Sequence, residues 1–111
     1  MNSNTLGFLG LLRRAGKITI GCDPVCTAVS QGKTDFVLLA EDISQNTKKT
    51  VLKNIGAYNV HIYIMKCSKA ELSSALGRQA AVISVDDEKA ASSVVQKLAD
   101  DKEECYYDDK I

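Results

Sequence analysis

Residues 6–24, LGFLGLLRRAGKITIGCDP, change from a helical to a strand period and back, which fixes the class of fold. Leu6, Leu9, Leu12 and Ala15 recur at helical spacing after the candidate caps Ser3 and Asn4, and Gly16 sits where a helix stops. Ile18 and Ile20 then alternate with Thr19 up to Gly21, which reads as a short strand. Asp23-Pro24 follows as an N-cap with proline at the first helical position, and Val25, Ala28 and Val29 keep one face apolar as far as Gly32. The chain therefore begins on a helix. Receiver and dinucleotide-binding domains begin on a strand, and neither the paired carboxylates of the first nor the glycine fingerprint of the second follows any strand here.

The same alternation continues along the chain. Phe36-Val37-Leu38-Leu39-Ala40 has the continuous apolar character of a strand covered on both faces. Ser44 caps a third helix through Val51, Leu52 and Ile55 toward Gly56. Val60, Ile62, Ile64 and Met65 form the next buried strand, and Ser68-Lys69-Ala70-Glu71 fits a capping box for a helix that turns Leu72, Ala75 and Leu76 inward and stops at Gly77. Ala80 to Val85 makes a fourth strand. Asp86 caps a last helix with the apolar stripe Ala90, Val94, Val95 and Leu98, its acidic start suiting the helix dipole. The pattern implies an α/β fold, a three-layer α-β-α sandwich around a four-stranded mixed sheet. Residues 1–99 form a single domain in this reading, and 100–111 an acidic tail.

Composition bounds the function. The chain has 111 residues, 45% hydrophobic and 25% charged, as one ordinary globular domain has. Its longest apolar run, Phe36 to Ala40, is far short of the roughly 20 residues a membrane span needs. The start Met1-Asn2-Ser3-Asn4 lacks the basic region of a secretory signal, so the expectation is a cytoplasmic protein with no membrane partner. Cys22, Cys26, Cys67 and Cys105 are scattered, which favours reduced thiols. Lys plus Arg and Asp plus Glu are equal at 14, but residues 1–56 carry seven basic and four acidic groups, while residues 86–111 carry four and nine. Such a division suits a nucleic-acid partner meeting one face, and it equally suits plain solvation.

Catalytic and metal chemistry find little support. Cys22 precedes a helix start where a thiolate is favoured, but a small residue filling the strand-to-helix turn is the preferred reading of it. The Cys22–Cys26 spacing is not that of a redox pair, and His61 is the only histidine, which argues against zinc. Glu41 and Asp42 end a strand without an accompanying base or nucleophile and read as caps of the following helix. The reading is a non-enzyme with no cofactor and no metal. Strand-to-helix turns gathered on one sheet edge, joined by Arg13, Arg14, Lys17, Lys48, Lys49 and Lys69, would instead make a surface for phosphates and splayed bases.

Five marks then run in order between Leu6 and Val85: Arg14-Ala15-Gly16-Lys17; Gly21 with a helix ending near Gly32-Lys33; Leu39-Ala40-Glu41-Asp42; Ser44-Gln45-Asn46-Thr47-Lys48-Lys49; and Leu72 to Gly77. On these the chain resembles the YlxQ-type bacterial members of the ribosomal protein L7Ae/L30e superfamily, small kink-turn RNA-binding proteins. The resemblance implies a structured-RNA partner in a ribosomal or ribonucleoprotein context, including ribosome association. It implies an RNA site of Arg14, Lys17, Gly21, Cys22, Asp23, Thr27, Ser44, Lys48 and Lys69, with Arg78, Gln79, Ala80, Ala81 and Val82 as a small apolar loop against flipped-out nucleotides. Where family members place Asn and Glu after the glycine and Lys one helical turn later, this sequence has Asp23, Pro24 and Thr27. An aspartate cannot donate to guanine O6 or N7. Those departures point to the alternative reading, a protein-interaction or dimerisation module of the same fold; an enzyme using Cys22 ranks third.

Overall fold

The computed structural model describes the backbone over residues 3–100 and the side chains over 5–97. Helices and strands alternate as α1 (Ser3–Arg14), β1 (Ile18–Ile20), α2 (Cys22–Ser30), β2 (Phe36–Ala40), α3 (Gln45–Ile55), β3 (His61–Met65), α4 (Lys69–Leu76), β4 (Val82–Val85) and α5 (Glu88–Asp100). The sheet order is β1-β4-β2-β3. It is mixed: β4 runs antiparallel to both β1 and β2, with Ile18 opposite Val85 and Val37 opposite Ser84, whereas β2 and β3 are parallel with Phe36 opposite His61.

The strand period of two divides the core into two layers. Phe36, Leu38, Ala40, Ile83 and Val85 face Leu9 and Leu12 of α1, Leu72 and Leu76 of α4, and Ala90, Ala91 and Val94 of α5. Val37, Leu39, Ile62 and Val82 face Val25 and Val29 of α2 and Val51 and Ile55 of α3. Three helices thus cover one face and two the other, which is the expected sandwich. All of β2 is buried because it lies inside the sheet with helices on both sides. On the first face α1 and α4 pack so closely that a Cβ at Gly10 would stand 2.8 Å from the Ala75 carbonyl oxygen.

Several local expectations shift. Ser3 and Asn4 already lie inside α1, so neither is its cap, and Ala15 falls past the helix end and is exposed. The cap of α2 is Gly21 and not Asp23: Gly21 adopts φ 108°, turning the chain straight from strand to helix, and its carbonyl accepts from Val25 N–H at 3.0 Å. Pro24 is tolerated because first-turn amides have no intrahelical acceptor. The fourth strand begins at Val82 and not Ala80, since Ala80 N–H donates to Ser73 Oγ (2.9 Å) and leaves the ladder. The third strand is a sheet edge and only half buried, with Val60 just before it and His61 exposed.

The start of α5 is capped by Asp87 and not Asp86. The Asp87 carbonyl accepts from Ala91 N–H (2.8 Å) and its carboxylate from Lys89 N–H (3.0 Å), while the Asp86 carboxylate accepts from Thr19 and Ser84 hydroxyls. The expected roles of the Leu98 side chain and of the tail after residue 100 lie outside the described residues.

Candidate functional site

Because β4 opposes the other three strands, the ends of β1, β2 and β3 and the beginning of β4 share one edge of the sheet. Backbone hydrogen bonds stitch these four turns into a row. Gly21 N–H donates to the Val82 carbonyl (2.9 Å), Ala40 N–H to Ala81 (3.0 Å) and Glu41 N–H to Cys67 (3.0 Å). Lys69 N–H then donates to Asp42 Oδ1 (2.7 Å). Asp42 therefore caps α4, across from its own turn, and not the following helix as its sequence position suggested. Helix α3 is capped by Ser44, whose Oγ accepts from Thr47 N–H at 3.2 Å.

Helix α4 carries the full capping box. Ser68 Oγ accepts from Glu71 N–H (3.0 Å), and Glu71 Oε1 accepts from Ser68 N–H (2.9 Å). That backbone donor is the main reason the Glu71 carboxyl sits below its ordinary value. Helix α2 differs, for Gly21 offers no side chain to its first amides. The three helix starts on this edge all present the positive end of the helix dipole.

An open cleft of ≈ 500 Å³ lies between these turns, lined by Gly21, Cys22, Thr47 and the loop Arg78 to Val82. Seven of the fourteen expected site residues meet here. Thr47 is the lining residue that sequence reasoning left out, although it stands in the Ser44 to Lys49 motif that drew attention to α3. The floor is small and apolar at Ala80, Ala81 and Val82, and Arg78 brings the only charge to the lining. Asp23 and Thr27 are exposed on α2 and line a neighbouring depression with Pro24 and Gln31. Ser44, Lys48 and Lys69 belong to the first turns of α3 and α4 on the same edge.

Arg14 and Lys17 are not on this edge. They precede β1, so they lie at the opposite end of the sheet, where Lys17 Nζ pairs with the Asp87 carboxylate and its carbonyl accepts from Asp86 N–H at 2.8 Å. The Lys17 donor holds the Asp87 carboxyl below its ordinary value. The turn after β4 lies at that far end too, because an antiparallel strand reverses the polarity of its connections. The helix-to-strand loop before β4 takes its place in the row of four.

Two of the described cysteines, Cys22 and Cys67, have thiols raised above the ordinary value. Burial first, and then the adjacent Cys26, raise the Cys22 thiol above its ordinary value, the reverse of what a nucleophile at a helix start needs. Cys67 is fully buried and is pushed up to about 12, chiefly by desolvation. Among the described residues, no three His, Cys, Asp or Glu side chains gather into a metal-holding group, and no helix is long and apolar enough to cross a membrane.

The sequence pattern of the Ribosomal protein L7Ae/L30e/S12e/Gadd45 family matches residues 4–95. A Bacillus subtilis (strain 168) protein named RNA-binding protein YlxQ is 35% identical over 92 residues, covering 82% of this chain and 91% of its own length. A protein of the same name from Enterococcus faecium is 30% identical over 82 residues, 74% of this chain and 79% of the relative. A solved structure from Bacillus halodurans, described as a protein with unknown function, superposes with a TM-score of 0.79 at 27% identity over 88% of this chain and 99% of that one. The Giardia lamblia 15.5 kD RNA binding protein shares the fold, with a TM-score of 0.66 at 18% identity, covering 91% and 89% of the two chains. Pattern, relatives and fold agree that the chain belongs to the ribosomal protein L7Ae/L30e/S12e/Gadd45 family, in the company of YlxQ-type bacterial proteins.

Proposed function

We propose that this protein is a non-enzymatic binder of structured, kink-turn-like RNA, acting in a ribosomal or related ribonucleoprotein context in the cytoplasm. The observation that carries the reading is the row of four hydrogen-bonded turns, which brings Gly21, Cys22, Thr47 and Arg78 to Val82 around one cleft beside three helix starts. The names of the Bacillus and Enterococcus relatives support it.

A kinked RNA offers a tightly bent backbone and unstacked bases, and the two halves of this surface suit those two features. Amides at the start of α2, with the Lys48 and Lys69 side chains, are suited to phosphates. The small loop Ala80-Ala81-Val82 leaves room for a base to pack, while Gln79 and Arg78 supply donors at the rim. Of the nearby carboxylates, Asp42 and Glu71 are engaged by helix amides, which offsets their repulsion of a phosphate. Arg14 and Lys17 stand outside this surface, and a contact from them would need an RNA that reaches the far end of the sheet.

Mobility shift with a kink-turn RNA and a plain duplex, at two salt concentrations, tests the proposal. Lys48→Ala and Lys69→Ala should each weaken binding to both RNAs and lower the salt slope by roughly one unit for every phosphate no longer neutralised. An unchanged slope in both variants would remove these lysines from the site. The exposed, negative Asp23 favours the second reading, a protein-interaction or dimerisation module, and absence of binding to either RNA at low salt would select it.

A further inference from the structure

The opposite end of the sheet carries a groove that the RNA reading leaves unused. Two depressions, ≈ 480 and ≈ 220 Å³, adjoin there and share Asp35 and Glu88 as a common wall. Together they run beside the open edge strand β3, from Tyr58 on the turn before it to Tyr63 within it. Tyr58 is 46% exposed, one of two large hydrophobic side chains so placed among the described residues. Tyr63 stacks on Phe36 with ring centroids 5.1 Å apart, which fixes an aromatic wall in the smaller depression.

The charge of the groove is one-sided. Asp35, Asp86 and Glu88 line it against one cation, Lys33. Asp86 is engaged by the Thr19 and Ser84 hydroxyls, but the carboxylates of Asp35 and Glu88 have no partner among the described residues. Helices α2 and α3 also end at this side of the sheet, adding the negative ends of their dipoles. Carboxylates beside exposed aromatic faces complement a planar cation that can accept both contacts, and they repel phosphate.

We propose that this groove docks an extended, arginine-bearing segment of a protein partner, its guanidinium groups held between Asp35 and Glu88 and stacked on Tyr58. The occupant is a basic peptide and not RNA, because the charge complementarity runs the other way from that of the cleft at Gly21. The two sites lie at opposite ends of the strands, so one chain can hold RNA and a basic protein segment at once.

Titration of the 15N-labelled full chain with an arginine–serine repeat peptide tests this directly. Amide shifts are expected at Asp35, Tyr58, Asn59, His61 and Glu88, with the signals of Gly21 and Arg78 unmoved. The double variant Asp35→Asn with Glu88→Gln should weaken binding about tenfold, as two exposed ion pairs allow, and a lysine–serine peptide should bind less tightly than the arginine one. Tyr58→Ala should cost about threefold. Both carboxylates are exposed, so the double variant should melt as the parent does; were it to unfold, Tyr58→Ala and the shift map of the unaltered chain still decide. Equal binding by parent and variants, shifts confined to the Gly21 edge, or movement of the groove's signals by an RNA oligonucleotide and not by the peptide would each overturn the proposal.

Discussion

The two ends of the sheet are built from the same strands yet differ in what their backbone leaves over. At the Gly21 end, α2, α3 and α4 begin, so dipole positive ends face outward, α2 has no side-chain cap for its first amides, and the cleft there is lined by one arginine and no carboxylate. At the Tyr58 end, α2 and α3 terminate and the groove is lined by three carboxylates and one lysine. Both ends are held by comparable stitching: the Val85 carbonyl accepts from Thr34 Oγ1 (2.7 Å) and the Asp35 carbonyl from His61 N–H (2.7 Å), as the Val82 carbonyl and the Asp42 carboxylate accept at the other end. The difference in chemistry thus comes from strand polarity and helix direction. A net charge of zero conceals it.

The contrast between the two ends is most sensitive to Gly21. Gly21→Val places a β-branched side chain at φ 108° with its Cβ 3.3 Å from the Pro24 ring, and residues held in such regions cost of order 1–3 kcal/mol each. Urea denaturation should show a destabilisation in that range together with abolished RNA binding, while the peptide groove at the other end keeps its shift map. Failure of both activities in a still-folded variant would mean that the ends are coupled.

Asp23→Asn with Thr27→Lys sharpens the contrast by making the Gly21 end more cationic. A good bidentate contact to a guanine is worth about 1–3 kcal/mol, so affinity for a kink-turn RNA should rise about tenfold or more over a plain duplex. Removing a first-turn carboxylate from α2 should meanwhile lower stability by about 0.3–1 kcal/mol, because Asp23 favours the helix dipole. Equal gains on both RNAs would show that these positions do not read the kink.

Asp42→Ala tests the stitching, since it leaves the first amide of α4 without its acceptor. A cost near that of removing an N-cap, about 1 kcal/mol, is expected in urea, with faster amide exchange at Lys69. The smallest effect belongs to pH. Asp87 and Glu71 both titrate below their ordinary values in the fold, so their stabilising share is full above the unfolded-state value and is lost as pH falls through the lowered folded one. Thermal melts of Asp87→Asn should therefore depend less on pH than the parent across the acid range, at the end where Lys17 meets Asp87. A parallel pair of curves would deny that pair a role.

Much of the fold was legible because it depends on short-range pattern. Ser44 and the Ser68–Glu71 box cap α3 and α4 as their spacing predicts, since capping is decided within four residues. The apolar run of β2 declares a strand covered on both faces. Asp23 and Asp86 misled for a related reason: each is a good cap by type, but Gly21 turns the chain earlier than Asp23 can, and Asp86 is drawn to Thr19 and Ser84 on neighbouring strands. The site was half legible. Gly21, Cys22 and the loop from Arg78 to Val82 share a cleft, but Arg14 and Lys17, close to Gly21 in sequence, are set apart from it by the length of β1.

The order and type of the elements, the two apolar faces of the strands and the helix stops are written in local sequence, because periodicity and capping act within a turn or two of chain. Tertiary structure alone decided the strand order β1-β4-β2-β3 and the reversal of β4. That reversal carries the turn after β4 away from the candidate interface and brings the Arg78–Val82 loop into it. The packed fold also lets Asp42 cap a helix 27 residues onward, and it assembles the acidic groove from Asp35, Tyr58 and Glu88. Strand direction is set by which buried faces pack together across the whole core, and no local stretch of sequence encodes it.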